Sequence, residues 1–554
     1  MKRSIIVSVV AVGLALSACN ANSGSDEAKS PASGTSKGGD LTILTSSQTV
    51  TLDPAKSQNL AITTLSLFNR RLTSWQIEPG QPAEAVPDLA TDTGTPSADG
   101  KTWTYTLKSG LKFSDGTPIT AKDVKYGLER SFAPELSGGL GYHKGLLEGG
   151  DQYQGPYTDG ELDSIETPDD TTIVFHLNKS YGDWPWIVSM PAFSPIPKAA
   201  DAKPQEYGQN PVSSGPYQVE SYKEGSSLVA GRNPEWDQAS DTVRTAGPDT
   251  ITMQLGQDDT VAAQRLIADS GDDQNAFQAS FVPPAQLSQI QSDAGAKSRL
   301  VTSEAGALAY LALNTQSKSL ADVKVRQAIQ YAVDKKAVQI AVGGTIGGEP
   351  ATTLITPGIA GREEYDLYPA GESGDVEKAK ALLTEAGNPA LDLTLLVESD
   401  PVEVSKAQAI QQGLQRAGIK VTIKSLEYEA WVAEATGDKG EYDLAISSWQ
   451  PDFPSANGNI QPLFASSEIG GGKYNLARYS EPEVDELIDQ ASASTDPAEA
   501  QKLWAQADRR ILEDSPVVPL LFKKNSFLHG SNVQNFFVTP FPAYPNYLKV
   551  SLGQ

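Results

Sequence analysis

Apolar positions along this chain change period several times, and each change marks an element. Trp103, Tyr105 and Leu107 alternate with threonines, the two-residue period of a half-buried strand. Ser109-Gly110 then turns the chain, Leu111 and Phe113 form a short partner strand, and Ser114-Asp115-Gly116 turns it again. Thr120-Ala121-Lys122-Asp123 reads as a capping box opening a helix. Ile173, Phe175 and Leu177 repeat the strand alternation after Asp169-Asp170. Together these signals predict a small mixed domain with antiparallel strands. Residues 41–44 are a further strand, and residues 251–255 and 308–313 are strands on either side of a helical Asp259 to Ala268 segment. From Asp322, residues Val325, Ala328, Ile329, Ala332 and Val333 follow the stripe of an amphipathic helix. Another helix runs from Asp375 to Ala386, with Asp375 at the cap position and Gly387 just past its end.

The clearest architecture lies in the C-terminal third. Leu391 to Glu398 is a strand, and Val404, Ala407, Ile410, Leu414 and Ala417 line one face of a helix that stops at Gly418. Ile419, Val421 and Ile423 alternate with Lys420, Thr422 and Lys424 in a second strand exposed on one face, and Tyr442 to Trp449 is a third. Strand, helix, strand with short connections implies a right-handed parallel crossover. Ligands of open α/β sheets bind past the carboxyl ends of the strands, which is where Trp449, Asp452 and Phe453 fall, between Pro451 and Pro454. A carboxylate shielded by aromatics can pair with an ammonium group, and flanking prolines reduce the loop entropy lost on binding. A turn aspartate beside ordinary core aromatics is the competing reading of the same residues.

At the N-terminus, Lys2-Arg3 precedes an apolar run, Ile5 to Leu16, too short to span a bilayer. Residues 1–18 therefore read as a signal peptide. Leu16-Ser17-Ala18-Cys19 resembles the bacterial lipobox, which implies a lipidated Cys19, and residues 19–39 read as that cysteine plus a flexible tether. Cys19 is the single cysteine, so no internal disulfide can form. A formal net charge of −25 makes nucleic acid an unsuitable partner. The three histidines, His143, His176 and His529, are widely separated, and no metalloprotease motif, nucleophile elbow or phosphate loop is present. No catalytic residue, metal site or cofactor is expected.

The stretch from Asp99 to Val124, with Trp103-Thr104-Tyr105, Leu111-Lys112-Phe113-Ser114-Asp115-Gly116 and Ala121-Lys122-Asp123-Val124, resembles the signature of the family 5 extracellular solute-binding proteins. These are the oligopeptide, dipeptide and nickel receptors of ATP-binding-cassette importers. Further blocks agree in order: Thr51-Leu52-Asp53-Pro54, Pro87-Asp88-Leu89-Ala90, Ser214-Gly215-Pro216-Tyr217 with Arg232-Asn233-Pro234, Leu313-Asn314-Thr315 with Val325-Arg326-Gln327-Ala328, Ala379-Lys380-Ala381-Leu382-Leu383, and Pro516-Val517-Val518-Pro519-Leu520.

The resemblance implies an α/β, two-lobed periplasmic-binding-protein-like fold (type II) with an extra small inserted α+β domain. Domain I would comprise residues 40–72, 213–305 and 526–554, domain II residues 73–212, and domain III residues 306–525. The two main lobes would close about a hinge over the ligand. Peptide-binding members pair the peptide's α-amino group with an Asp in a Trp-x-x-Asp-aromatic stretch, and Trp449 to Phe453 matches it. The implied ligand-binding residues are Asp452, Trp449 and Phe453, with Ser46, Ser47, Gln48 and Asn275 as polar contacts. Departures from the family pattern fall at Ser213, at Gln450-Pro451, at Ser455-Ala456-Asn457 and in the turn Gly271 to Phe277. The expected protein is a monomeric, non-enzymatic lipoprotein on the extracytoplasmic face of the cell membrane. It would capture short peptides and hand them to the permease and ATPase subunits of an importer. A receptor for a nickel chelate, a sugar or another amine-bearing metabolite is the alternative of the same class, and a secreted hydrolase that of a different class.

Overall fold

The threonine-alternating strand Thr102–Thr106 occupies an inner position of a four-stranded antiparallel sheet in the computed structural model, which describes residues 38–371 and 373–553. Its partners are Thr95–Pro96 and Thr172–His176, the latter flanked by Ile165–Glu166. Register sets Trp103 opposite Phe175 and Tyr105 opposite Ile173, so the alternating apolar sets share one buried face. The expected partner strand at Leu111 and Phe113 is a correction. Phe113 donates its N–H to the Thr117 carbonyl (2.9 Å) and Ile119 to that of Leu111 (3.0 Å), so this segment folds back on itself. Gly116, at φ 83°, makes that tight return possible and uses up the bonds that a partner strand would need. Next comes the helix Ala121–Arg130, where the Asp123 carboxylate accepts from both the N–H (2.8 Å) and the hydroxyl (2.7 Å) of Thr120.

Asp40–Leu44 is an inner strand of a five-stranded sheet, parallel to Thr250–Gln254 on one side and to Ala276–Gln278 on the other. Ser227–Arg232 and Tyr217–Lys223 extend it antiparallel beyond Thr250–Gln254. Helix Asp259–Ala268 lies where the sequence predicts it, with the Asp258 side chain capping the Val261 N–H at 2.9 Å.

A six-stranded sheet runs in the order Gly348–Pro350, Val517–Lys523, Leu308–Leu313, Leu444–Trp449, Asp392–Glu398, Lys420–Leu426. Its last two strands are parallel over the full register Asp392 to Glu398, and helix Pro401–Arg416 makes the crossover, burying Ala407, Ile410 and Leu414. Asp400 caps that helix through the Val402 and Glu403 N–H groups, so it starts a turn before its apolar stripe. Leu444–Trp449 lies parallel to Asp392–Glu398 and antiparallel to Leu308–Leu313, with its first four residues buried. Where the chain passes between the five- and six-stranded sheets, Leu300–Thr302 pairs with Ser526–Leu528. The expected signal peptide, Cys19 and most of the tether lie outside the described residues. Among the described residues no helix is long and apolar enough to cross a membrane.

Candidate ligand-binding cleft

Beyond the carboxyl end of Leu444–Trp449 the chain bends through Pro451-Asp452-Phe453-Pro454 into the helix Asn457–Phe464. Several bonds hold this bend. Trp449 donates its indole N–H to the Gly458 carbonyl at 2.7 Å, and its ring lies 5.2 Å from that of Tyr474. Phe453 is fully buried and meets Tyr142 edge-on at 5.5 Å. The Ser455 hydroxyl donates to the Asp183 carboxylate at 2.9 Å, and the Gln450 side chain donates to the Pro542 carbonyl.

Asp452 itself is half-buried, and its carboxylate accepts a 2.6 Å hydrogen bond from the Tyr142 hydroxyl, 310 residues away in sequence. Burial pushes the Asp452 carboxyl above its ordinary pKa, and the Tyr142 hydrogen bond opposes that rise. Burial likewise pushes the Tyr142 hydroxyl up, reinforced by the Asp452 charge, so the tyrosine stays a donor.

Two cavities meet at this carboxylate. The first, about 750 Å³, is walled by residues 45–47, 49–51, 58–60 and 63–64, by Asp259, Ser280 and Phe281, by Gln450 to Asp452 and by Tyr544 and Tyr547. Segments that carry the five-stranded sheet thus face the loop at the end of the six-stranded one. The second, about 570 Å³, is lined by Tyr142, Tyr181, Trp449, Phe453 and Tyr474, with Lys179 and Lys473 among its polar groups.

Of the residues singled out in sequence, Asp452, Ser46 and Ser47 line the first cavity, and Asp452, Trp449 and Phe453 the second. Ser46 shares a 2.9 Å hydroxyl hydrogen bond with Ser280. Gln48 stands apart from both linings. Its backbone carbonyl takes the Gly225 N–H at 2.8 Å, and its side-chain amide packs so closely on Gly256 that a Cβ there would come within 2.8 Å. Asn275 also stands apart, because its side-chain oxygen accepts from Asn532 at 2.9 Å at the end of a short 3-10 turn. Sequence reasoning missed Tyr142, Ser280, Phe281 and Tyr544, which reach the cleft only through the tertiary fold. Among the described residues no group of three His, Cys, Asp or Glu side chains could hold a metal ion. His143 is fully buried beside Ser131, and that burial, helped by the nearby Lys144 charge, pulls its pKa down to about 3 and keeps it neutral.

The family description "Bacterial extracellular solute-binding proteins, family 5 Middle" matches residues 84–471. The chain belongs to this family. Its fold is the type II periplasmic-binding-protein fold of family 5, a class of binding proteins rather than enzymes, which sets aside the hydrolase alternative. Such proteins serve ATP-binding-cassette importers outside the cytoplasm. The glutathione-binding protein GsiB of Salmonella paratyphi A is 29% identical over 455 residues, covering 80% of this chain and 82% of GsiB. A solved clavulanic acid biosynthesis oligopeptide binding protein 2 superposes with a TM-score of 0.86 at 33% identity, covering 94% of this chain and 96% of that one. The structure of DppA from Helicobacter pylori, in complex with the peptide STSA, shares the fold at a TM-score of 0.67 and 24% identity, covering 94% and 99%.

Proposed function

We propose that this chain is a monomeric, lipid-anchored receptor that captures short peptides in the cleft at Asp452 and delivers them to the permease and ATPase subunits of its importer. The observation that carries the reading is Asp452: a half-buried carboxylate with one hydroxyl donor, at the junction of two cavities. An ammonium group there gains a charge-assisted hydrogen bond in a partly dry setting. Trp449 offers an apolar wall, and Ser46, Ser47 and Ser280 offer hydroxyls to an extended peptide backbone. Residues 40–72, 213–305 and 526–554 would form one lobe and residues 306–525 the other, with residues 73–212 supplying Tyr142. Relatives named as glutathione-binding make that tripeptide, which has a free amine of its own, a natural member of the ligand panel.

Calorimetry with tri-alanine, N-acetyl-tri-alanine and glutathione tests the reading. A free amine should be required, so acetylation should abolish binding; equal affinity for the acetylated and free peptides refutes it. For the anchor, Cys19→Ser in the full-length chain should abolish metabolic labelling with palmitate and release the protein from membranes.

A further inference from the structure

Charge in the first cavity is one-sided. Among the described residues its charged side chains are Asp452 and Asp259, and no lysine or arginine lines it. Asp259 is the first residue of helix Asp259–Ala268, but Asp258 does the capping. The Asp259 carboxylate therefore has no hydrogen-bond or ion-pair partner among the described residues, and it stands half-exposed on the cavity wall. On that wall, too, is Phe281, 43% exposed, whose ring lies 5.5 Å from that of Tyr544. An unpaired carboxylate near an exposed aromatic face suits a cation, which gains from both. At the matching end of the six-stranded sheet the balance is also acidic: Glu398, Asp400 and Glu403 against Lys406, which Glu403 holds at 2.6 Å, and Lys523. The cations Lys179 and Lys473 belong to the second cavity, on the other side of Asp452, where Lys473 already faces Glu468 at 3.9 Å.

Resting on the peptide reading above, we infer that the cleft selects peptides bearing a basic side chain, with the amine on Asp452 and a lysine or arginine side chain on the Asp259–Phe281 wall. An acidic side chain in that position meets the Asp259 carboxylate with no lysine or arginine on the cavity wall to offset it. Asp259 is then a specificity-determining residue, and the protein's overall negative charge favours the approach of the same ligands.

The test is calorimetry of the purified wild-type chain and of Asp259→Asn, with tri-alanine and with tripeptides carrying Lys or Glu at position two or three. In the wild type the better-placed lysine peptide should bind roughly tenfold tighter than its glutamate counterpart, the combined effect of one attraction gained and one repulsion avoided at a half-exposed site. The contrast should shrink as salt is raised. In Asp259→Asn the lysine-to-glutamate ratio should fall toward one; because it compares ligands within one protein, it is insensitive to any loss of folded fraction. Tri-alanine binding with no lysine preference overturns the inference and leaves the peptide reading standing, as does a preference that survives Asp259→Asn. Absence of binding by every peptide overturns both.

Discussion

Replacing Asp452 with alanine removes the one acidic group on which two cavities converge, and the structure bounds the cost. At about 4 Å, with an effective dielectric near 20, an amine and a carboxylate attract by about 4 kcal/mol. Part of that is offset by desolvation of the ammonium group and by the Tyr142 hydroxyl, which already shares the carboxylate at 2.6 Å. Truncating one partner of a buried charge pair costs about 2–5 kcal/mol. Because Asp452 is half-buried and opens onto both cavities, the lower half of that range applies, about 2–3 kcal/mol or roughly 30- to 150-fold in Kd. Calorimetry of tri-alanine against wild type, Asp452→Ala and Asp452→Asn reads the loss directly. Crossing each variant with N-acetyl-tri-alanine closes a double-mutant cycle: if the amine meets Asp452, acetylation should cost little once the carboxylate is gone. Wild-type affinity in Asp452→Ala, or an acetylation penalty that persists in full in the variant, would refute the pairing.

Other consequences are open to measurement. Peptide affinity should be bell-shaped in pH: the acid limb follows protonation of Asp452 and lies above the ordinary aspartate range, because burial raises that pKa, while the alkaline limb follows the peptide amine near pH 8. Tyr142→Phe removes a hydrogen bond that favours the charged carboxylate, so titration of peptide affinity should show the acid limb displaced to higher pH. Arg130 is fully buried and binds Asp53 (2.9 and 3.1 Å) and Asp201 (2.8 Å); Arg130→Met strands both carboxylates and should cost about 3–5 kcal/mol in urea denaturation. Asp508 is buried, and its pKa is pushed up to about 6. The folded chain therefore keeps a proton that the unfolded chain releases near 4, and this contribution to stability is full below pH 4 and lost as pH rises through 6. Asp508→Asn should flatten that part of the stability profile by up to about 1.4 kcal/mol per pH unit, read from denaturation midpoints at several pH values.

Much of the frame was legible because it rests on local physics. Asp375 caps its helix as its position predicts, a helix begins just after Asp322 as expected, and the crossover from Asp392–Glu398 to Lys420–Leu426 follows from period and connection length alone. The blocks that carry the family resemblance turn out to be fasteners. Asp53 receives Arg130, Asp88 receives Arg70 at 2.8 Å and Arg244 at 2.9 Å, and the Asn233 side chain holds the Gly215 carbonyl at 2.8 Å. Asn314 holds the Tyr442 carbonyl at 2.8 Å, just ahead of the strand that ends in Trp449. Such residues fix where the strand ends point, so they reveal the fold and place Asp452 without saying what it binds. What surrounds Asp452 depends on distant chain instead. Tyr142 lies 310 residues before it, and the Phe281–Tyr544 pair spans nearly half the chain. The failed strand at Leu111–Phe113 has the same origin, since two apolar residues before a glycine turn fit either a partner strand or a fold-back, and only the competition for backbone bonds decides. Ligand preference in this fold is thus written by side chains with no local signature, mounted on a frame whose local signatures are strong.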